Sequence, residues 1–384
     1  MRLYTLYITT PTNCYPLSVR TFNISIPDES LRNAVCDKID NLNKPKGAMG
    51  QLEALAEQIC MVQHTLTPEL VHPCHLLFGA DHGIEREGVS VSPREVTWQQ
   101  MINFTHGGGG VNMLCRQHGF HLRLIDVGVD FDLSNHPRIL NRKIRRGTDN
   151  FRYGPAMTTT EFDHAIDIGA EMVDYCRKEG CNILSIGEMG IGNTSPSSIW
   201  MHLLGNIPLE ECIGAGAGLN AAGVQHKLNV LCEAVKLFKK GERGGERSHP
   251  VATEDSTILS SLSQDLSLLS YFGGFEMVAA VGAMLRGAEH SMLILVDGFI
   301  MSACMLAAIH LNPAVRHFAV FAHCGDESGH RRLLSLMDAR PLLALGMRLG
   351  EGTGALAAYP LVDTAVRMIN EMNNFNDAHI TKYF

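Results

Sequence analysis

Short apolar runs alternate along this chain with longer stretches whose apolar residues recur at helical spacing. Residues 75–78 stop at Gly79-Ala80-Asp81-His82-Gly83, and residues 122–127 stop before Gly128. Residues 182–186 run into Gly187-Glu188, 292–296 into Asp297-Gly298, and 318–321 into Ala322-His323-Cys324-Gly325. Each run has the form of a buried strand arrested by a polar loop. Helical stretches at 160–178, 221–238, 275–288 and 298–310 lie between them. Strands and amphipathic helices in alternation predict an α/β fold, with a parallel sheet covered by helices on both faces.

Three helical stretches fall outside that alternation. One runs through Leu31, Val35, Ile39 and Leu42, and a second follows Gly50 through Leu52, Leu55, Ile59 and Val62. The third occupies 356–373. Together they predict a small helical subdomain built from both chain ends, 25–70 and 356–384. Residues 71–355 are then the large α/β catalytic domain. Residues 1–24 show no helical period and read as an N-terminal extension, either a loose arm or an added strand. Residues 239–250 are charged and glycine-rich, which predicts a solvated loop.

Composition narrows the function classes. Lys and Arg number 32 against 40 Asp and Glu, a net charge of −8. That balance argues against a nucleic-acid binder relying on an overall positive field. The 37 glycines exceed the average usage of about 7% without a period of three. In an α/β protein such an excess points to tight turns where backbone approaches a ligand. The 11 cysteines are irregularly spaced and include no CxxC pair. Buried free thiols in a reducing cytoplasm explain them. No secretory leader is legible, because Pro11 and Pro16 interrupt the first twenty residues. The most apolar stretch, 292–309, contains Asp297 and Gly298, so it reads as a strand leading into a helix and not a membrane span.

Polar residues gather where the strands end, the usual place for ligands in open α/β sheets. The segment Gly187-Glu188-Met189-Gly190-Ile191-Gly192-Asn193-Thr194-Ser195 turns the chain on glycines and brings hydroxyls to a helix start. Backbone N–H groups and the helix dipole there favour an anion such as phosphate, without a Walker A or GxGxxG pattern. Gly214-Ala215-Gly216-Ala217-Gly218, with Lys227 beyond it, is a weaker second cluster. Gly107 to Gly110 form a third, which suits close approach to a ligand or partner or tight packing. In Arg348-Leu349-Gly350-Glu351-Gly352-Thr353-Gly354, spacing leaves Glu351 two roles: partner of a helix dipole, or general base in a partly dry pocket. His323, Cys324, Asp326, Glu327 and His330 match no zinc spacing and read as a loop and helix start. Asp81-His82 suits either an acid/base pair or a loop tie.

Taken in order, these blocks resemble the nicotinate-nucleotide–dimethylbenzimidazole phosphoribosyltransferase family of cobalamin lower-ligand activation. The resemblance covers roughly 30–374. It rests on Lys44 to Glu53, Ala80 to Gly83, Val89 to Thr97, Asn103-Phe104, Gly187 to Thr194, Gly273 to Glu276, Asp297 to Phe299 and Met347 to Ala355. It departs at Gly47-Ala48-Met49-Gly50, where Gly-Ser-Leu-Gly is usual, at Ala322 and Cys324 around His323, and at Ala217, where Thr is common. The resemblance implies a Rossmann-like large domain, a small helical domain and a homodimer acting on small-molecule substrates. It implies no metal and no other cofactor. It implies transfer of phosphoribose from nicotinate mononucleotide to dimethylbenzimidazole or a related base, with inversion from the β to the α linkage.

The residue roles implied are specific. Glu351 is the general base, and Glu188 stabilises the oxocarbenium-like transition state or holds ribose hydroxyls. Ser92, Gln100 and Leu349 belong to the acceptor-base pocket. Gly190, Gly192, Asn193, Thr194, Ser195, Gly214, Gly216 and Gly352 cradle phosphate and ribose, with Lys227 as charge partner. Two alternatives compete: a non-catalytic phosphosugar- or nucleotide-binding protein on the same scaffold, and a nucleotide N-glycosidase with water as acceptor. No nucleic acid partner and no membrane span are expected, and the setting is cytoplasmic.

Overall fold

The computed structural model describes residues 6–10, 13–17, 20–216, 218–243 and 254–382. The N-terminal stretch contains an antiparallel hairpin of β1 (Leu6–Thr10) and β2 (Asn13–Leu17). Residues 20–24, assigned to the extension on sequence, are docked. Phe22 and Ile24 pack on the main core. The Asn23 N–H donates to Glu289 at 2.7 Å, and Asn312 Nδ2 donates to the Phe22 carbonyl at 3.2 Å.

Two helices follow, α1 (Arg32–Asn41) and α2 (Gln51–Gln63). The sheet begins with β3 (Cys74–Ala80), all seven residues of which are buried. Helices α3 (Glu95–Thr105) and α4 (Gly110–His118) lead to β4 (His121–Gly128) and the short edge strand β5 (Ile139–Asn141). Helix α5 (Thr159–Lys178) then precedes β6 (Ile183–Met189). It opens on a capping box, in which Thr158 Oγ1 accepts from the Glu161 N–H and Glu161 accepts from the Thr158 N–H. Next come α6 (Thr194–Gly205), α7 (Leu209–Cys212), α8 (Ala221–Arg243), α9 (Glu254–Phe272) and α10 (Phe275–Glu289). The last elements are β7 (Leu293–Val296), α11 (Phe299–Leu311), β8 (Ala319–Phe321), α12 (His330–Leu336) and α13 (Thr353–Glu371). Helix α8 runs to Arg243, so residues 239–243 of the expected loop are helical, and 244–250 lie outside the described residues. Helix α9 and strand β5 were not legible in the apolar pattern.

All six strands of the main sheet are parallel, in the order β5-β4-β3-β6-β7-β8. The chain starts at the centre, walks out to β5, and returns to the other side of β3. That reversal leaves a crevice between β3 and β6 at their carboxyl ends, the usual ligand position in such sheets. Side chains alternate across the sheet as the two-residue period requires. Leu76 and Phe78 join one core with α5, α6, α10 and α11. Leu77 joins the other, with α1, α2, α4 and α13.

The two cores differ in how they close. Helices α5 and α10 cross closely because Gly169 and Gly282 face each other's backbone. A methyl on Gly169 would collide with the Ala279 carbonyl, and one on Gly282 with that of Ile166. On the other face the two chain ends meet. The Asn43 N–H donates to Asn373 O at 2.8 Å and the Phe375 N–H to Asn41 O at 3.2 Å. Their apolar residues, such as Val35, Ile59, Val362 and Ile369, share one cluster with Leu77, Leu124, Leu293 and Val320 of the sheet. Among the described residues, no helix is long and apolar enough to cross a membrane.

Candidate active site

A cavity of about 160 Å³ opens where β6, β7 and β8 end. Four segments line it: 188–194 at the end of β6, 297–300 after β7, 323–327 after β8, and 347–353 at the start of α13, joined by Ser90 and Gly216. Parallel strands deliver the first three to one edge of the sheet, and the loop before α13 brings the fourth.

Glu351 is held in an unusual backbone conformation. Its φ is 62°, between Gly350 at 82° and Gly352 at 75°. Glycine enters this left-handed region freely, whereas the Cβ of Glu351 costs about 1–2 kcal/mol there. Such strain gathers at functional sites. Glycines elsewhere make room for the turn. A Cβ on Gly187 would stand 2.6 Å from the Glu351 carbonyl carbon, and one on Gly110 would stand 3.0 Å from Leu349 Cδ2. The four-glycine run thus packs α4 against the Glu351 turn. Glu351 Oε2 accepts from the Val111 N–H at 3.2 Å, in the first turn of α4, where the helix dipole favours negative charge. Burial pushes this carboxyl above its ordinary pKa, the Val111 bond opposes the shift, and the charge of Asp297 adds to it.

Glu188 lies at the end of β6, beside Phe78 of β3. Its Oε2 accepts from Asn193 Nδ2. Burial, with the charges of Glu276, Asp297 and Glu351, pushes it up to about 8 against the Asn193 bond. These surroundings favour the protonated form of Glu188. Asp297 goes the other way. Burial raises its pKa, but His323 and the N–H groups of Ala355 and Gly298 outweigh that and hold it below the ordinary value. Its Oδ1 accepts from the Ala355 N–H at 2.9 Å and faces His323 Nε2 at 3.6 Å. Behind Glu188, His82 Nε2 and Glu276 Oε1 are 2.6 Å apart. His82 Nδ1 and Glu276 Oε2 find no partner among the described residues.

A different chemistry lines the same cavity at Thr194 and Gly216. Lys227 is fully buried, and its Nζ donates to Thr194 Oγ1 at 2.8 Å. Burial pushes this ammonium down to about 8, against the attraction of Glu327.

The structure gathers most of the residues singled out on sequence. Glu188, Gly190, Gly192, Asn193, Thr194, Gly216, Leu349 and Glu351 all line the cavity, and Lys227 reaches it through Thr194. Ser195 is buried behind the turn, and its Oγ finds no partner among the described residues. Gly214 backs onto Glu327, and Gly352 onto His75, whereas Ala217 lies outside the described residues. Ser92 and Gln100 stand apart from the described lining. The Ser92 N–H donates to Ser90 Oγ at 3.2 Å, and Gln100 Oε1 accepts from Asn103 Nδ2 at 3.0 Å. Ser90 lines the cavity in their place. Asp81 and His82 do different jobs: Asp81 Oδ2 accepts from the Asp130 N–H at 2.7 Å, tying a loop, while His82 pairs with Glu276.

Sequence reasoning left Asp297, His323 and Glu327 outside the site. The signal was present, since each follows a buried strand directly or within a short loop. What spacing could not supply was which strand ends are neighbours.

The chain is similar to known proteins in both sequence and fold. A family model described as phosphoribosyltransferase matches residues 24–380. The nicotinate-nucleotide–dimethylbenzimidazole phosphoribosyltransferase of Bacteroides fragilis is 56% identical over 366 residues, covering 95% of this chain and 100% of its own. The enzyme of the same name from Photobacterium profundum is 40% identical, covering 94% and 99%. The crystal structure of CobT from Thermus thermophilus superposes with a TM-score of 0.82 at 34% identity, covering 92% of this chain and 99% of that one. The chain belongs to the nicotinate-nucleotide–dimethylbenzimidazole phosphoribosyltransferase family.

Proposed function

We propose that this protein transfers the phosphoribosyl group of nicotinate mononucleotide to dimethylbenzimidazole or a related base, giving α-ribazole phosphate and nicotinate. One observation carries the reading: a single cavity is lined by the carboxyl groups of Glu188, Asp297 and Glu351 and also by Thr194 and Gly216, with Lys227 behind. The donor has matching parts, a cationic pyridinium on the sugar and an anionic phosphate. Acidic groups around a developing oxocarbenium ion stabilise it, and preorganised N–H, hydroxyl and ammonium groups hold phosphate.

In the step proposed, the bond from C1′ to nicotinate breaks, and its electron pair stays on the nicotinate nitrogen. One acceptor nitrogen bonds C1′ from the opposite face, so the β linkage becomes α. The proton on the other acceptor nitrogen passes to Glu351. A base with a raised pKa and one main-chain hydrogen bond is suited to that task. Glu188 is proposed to keep its proton through the step and to hold a ribose hydroxyl beside the developing charge. Leu349 lines the cavity while 61% exposed, which suits the face of a flat aromatic acceptor. Ser92 and Gln100 are proposed to approach the acceptor only when it binds. The reading also carries a homodimer in the cytoplasm, the first checked by light scattering for twice the 42.1 kDa chain mass.

The test incubates the protein with nicotinate mononucleotide and a panel of benzimidazoles, purines and phenols, with products identified by mass. Nicotinate release that requires an acceptor supports transfer. Release of free ribose phosphate without one would indicate an N-glycosidase, and tight binding without release a non-catalytic binding protein.

A further inference from the structure

Glu327 lies on the loop between β8 and α12 and is absent from the mechanism above. It nonetheless lines the same cavity as Thr194 and Gly216. Its carboxylate is set within the groups assigned to phosphate. The Gly216 backbone and the cations Lys227 and Arg348 act on its charge. Gly214 leaves it room, since a methyl there would collide with Glu327 Oε2. The same Lys227 ammonium donates to Thr194 Oγ1 at 2.8 Å. A cradle for an anion therefore already contains one.

We propose that Glu327 is a resident anion that occupies the phosphate cradle of the empty protein and must withdraw when a substrate phosphate enters. The inference rests on reading Thr194, Gly216 and Lys227 as that cradle. A carboxylate there partly offsets the charge of buried Lys227, whose ammonium bonds Thr194. It also sets a threshold. A phosphate monoester brings two negative charges and several acceptor oxygens, so it can displace one carboxylate, whereas a neutral nucleoside cannot. Glu327 is thus a specificity residue acting through competition, not a catalytic one.

The charged groups facing Glu327 are Lys227 from α8, Arg348 from the loop before α13, and Asp326 beside it. Burial raises the Glu327 pKa, with Lys227 and Gly216 opposing. Competition operates only in the ionised form. Anion affinity of the wild-type protein therefore falls as pH rises through that ionisation.

The test uses sulfate, whose charge is constant across the range, and needs no turnover. Its outcome therefore stands even if the transferase reading fails. Titration calorimetry from pH 5 to 6.5 stays below the Lys227 value of about 8. Where a resident group blocks a site most of the time, affinity falls by the fraction of time the site is open, so Glu327→Gln should bind sulfate about tenfold more tightly. Wild-type affinity should weaken with rising pH and that of the variant should not. In the transfer assay, the same variant should lower KM for nicotinate mononucleotide with kcat changed much less. Unchanged or weaker sulfate binding by a folded Glu327→Gln protein overturns the proposal. So does a wild-type sulfate affinity that strengthens as pH rises, which requires no variant.

Discussion

The end of β6 and the turn before α13 are both glycine-rich, and each brings a buried glutamate to the same cavity. They hold those carboxyls differently. Glu188 receives a side-chain amide from Asn193 and is crowded by Glu276, so it is pushed up to about 8. Glu351 receives a main-chain N–H from the first turn of α4, where the dipole favours a carboxylate. Burial raises both, yet only Glu188 has a second buried acid as a leading cause. One residue type thus supplies a stored proton in one turn and a base in the other.

The largest test of that contrast is Glu351→Gln. It should lower kcat by at least about a hundredfold, the usual scale for a general base. Its melting temperature should stay near wild type, because the left-handed backbone and buried shape are kept. Lys227→Met keeps most of the side-chain volume and removes the charge. Losing a charge-assisted hydrogen bond worth about 1.5–3 kcal/mol should raise KM for nicotinate mononucleotide about 10- to 100-fold.

Glu188→Gln sharpens the comparison through stability. The pKa of this acid is raised on folding, so its contribution is fully present below the ordinary value of 4.5 and is lost as pH rises through about 8. Glutamine has no proton to lose. The variant should therefore gain melting temperature relative to wild type between pH 6 and pH 9, by several degrees. An equal difference at both pH values would show that Glu188 is ionised throughout. The smallest effect is expected for Gly350→Ala. At φ 82°, and with Glu188 Oε1 2.8 Å from the added methyl, it should cost about 1–2 kcal/mol. Thermal melts would show this against Gly154→Ala, where the added methyl meets nothing within 4 Å.

Much of this molecule was legible before any coordinates. Five of the six sheet strands follow from apolar runs arrested by glycine and polar residues, because a fully buried parallel strand must be continuously apolar and must stop abruptly. The exception, β5, buries only Ile139 of its three residues, whereas the equally short β8 is buried throughout and so reads as an apolar run. Glu351 and Glu188 were legible because each stands among glycines. The His82–Glu276 pair was not, since 194 residues separate its members. Asp297, His323 and Glu327 join the site only because β7 lies beside β6 and β8 beside β7, and strand order is not written in any local pattern. Ser92 and Gln100 show the converse. A motif fixed their neighbourhood on α3 and the loop before it, but not their distance from the cavity.

The central claim is that Glu351 accepts the acceptor's proton, and the dependence of kcat on pH tests it most directly. The wild-type rate should fall at low pH with a midpoint above 4.5, because the base works only when ionised and burial raises its pKa. Glu351→Gln should retain a low residual rate without that acid limb. An unchanged acid limb in Glu351→Gln, or a rate near wild type, would contradict the account.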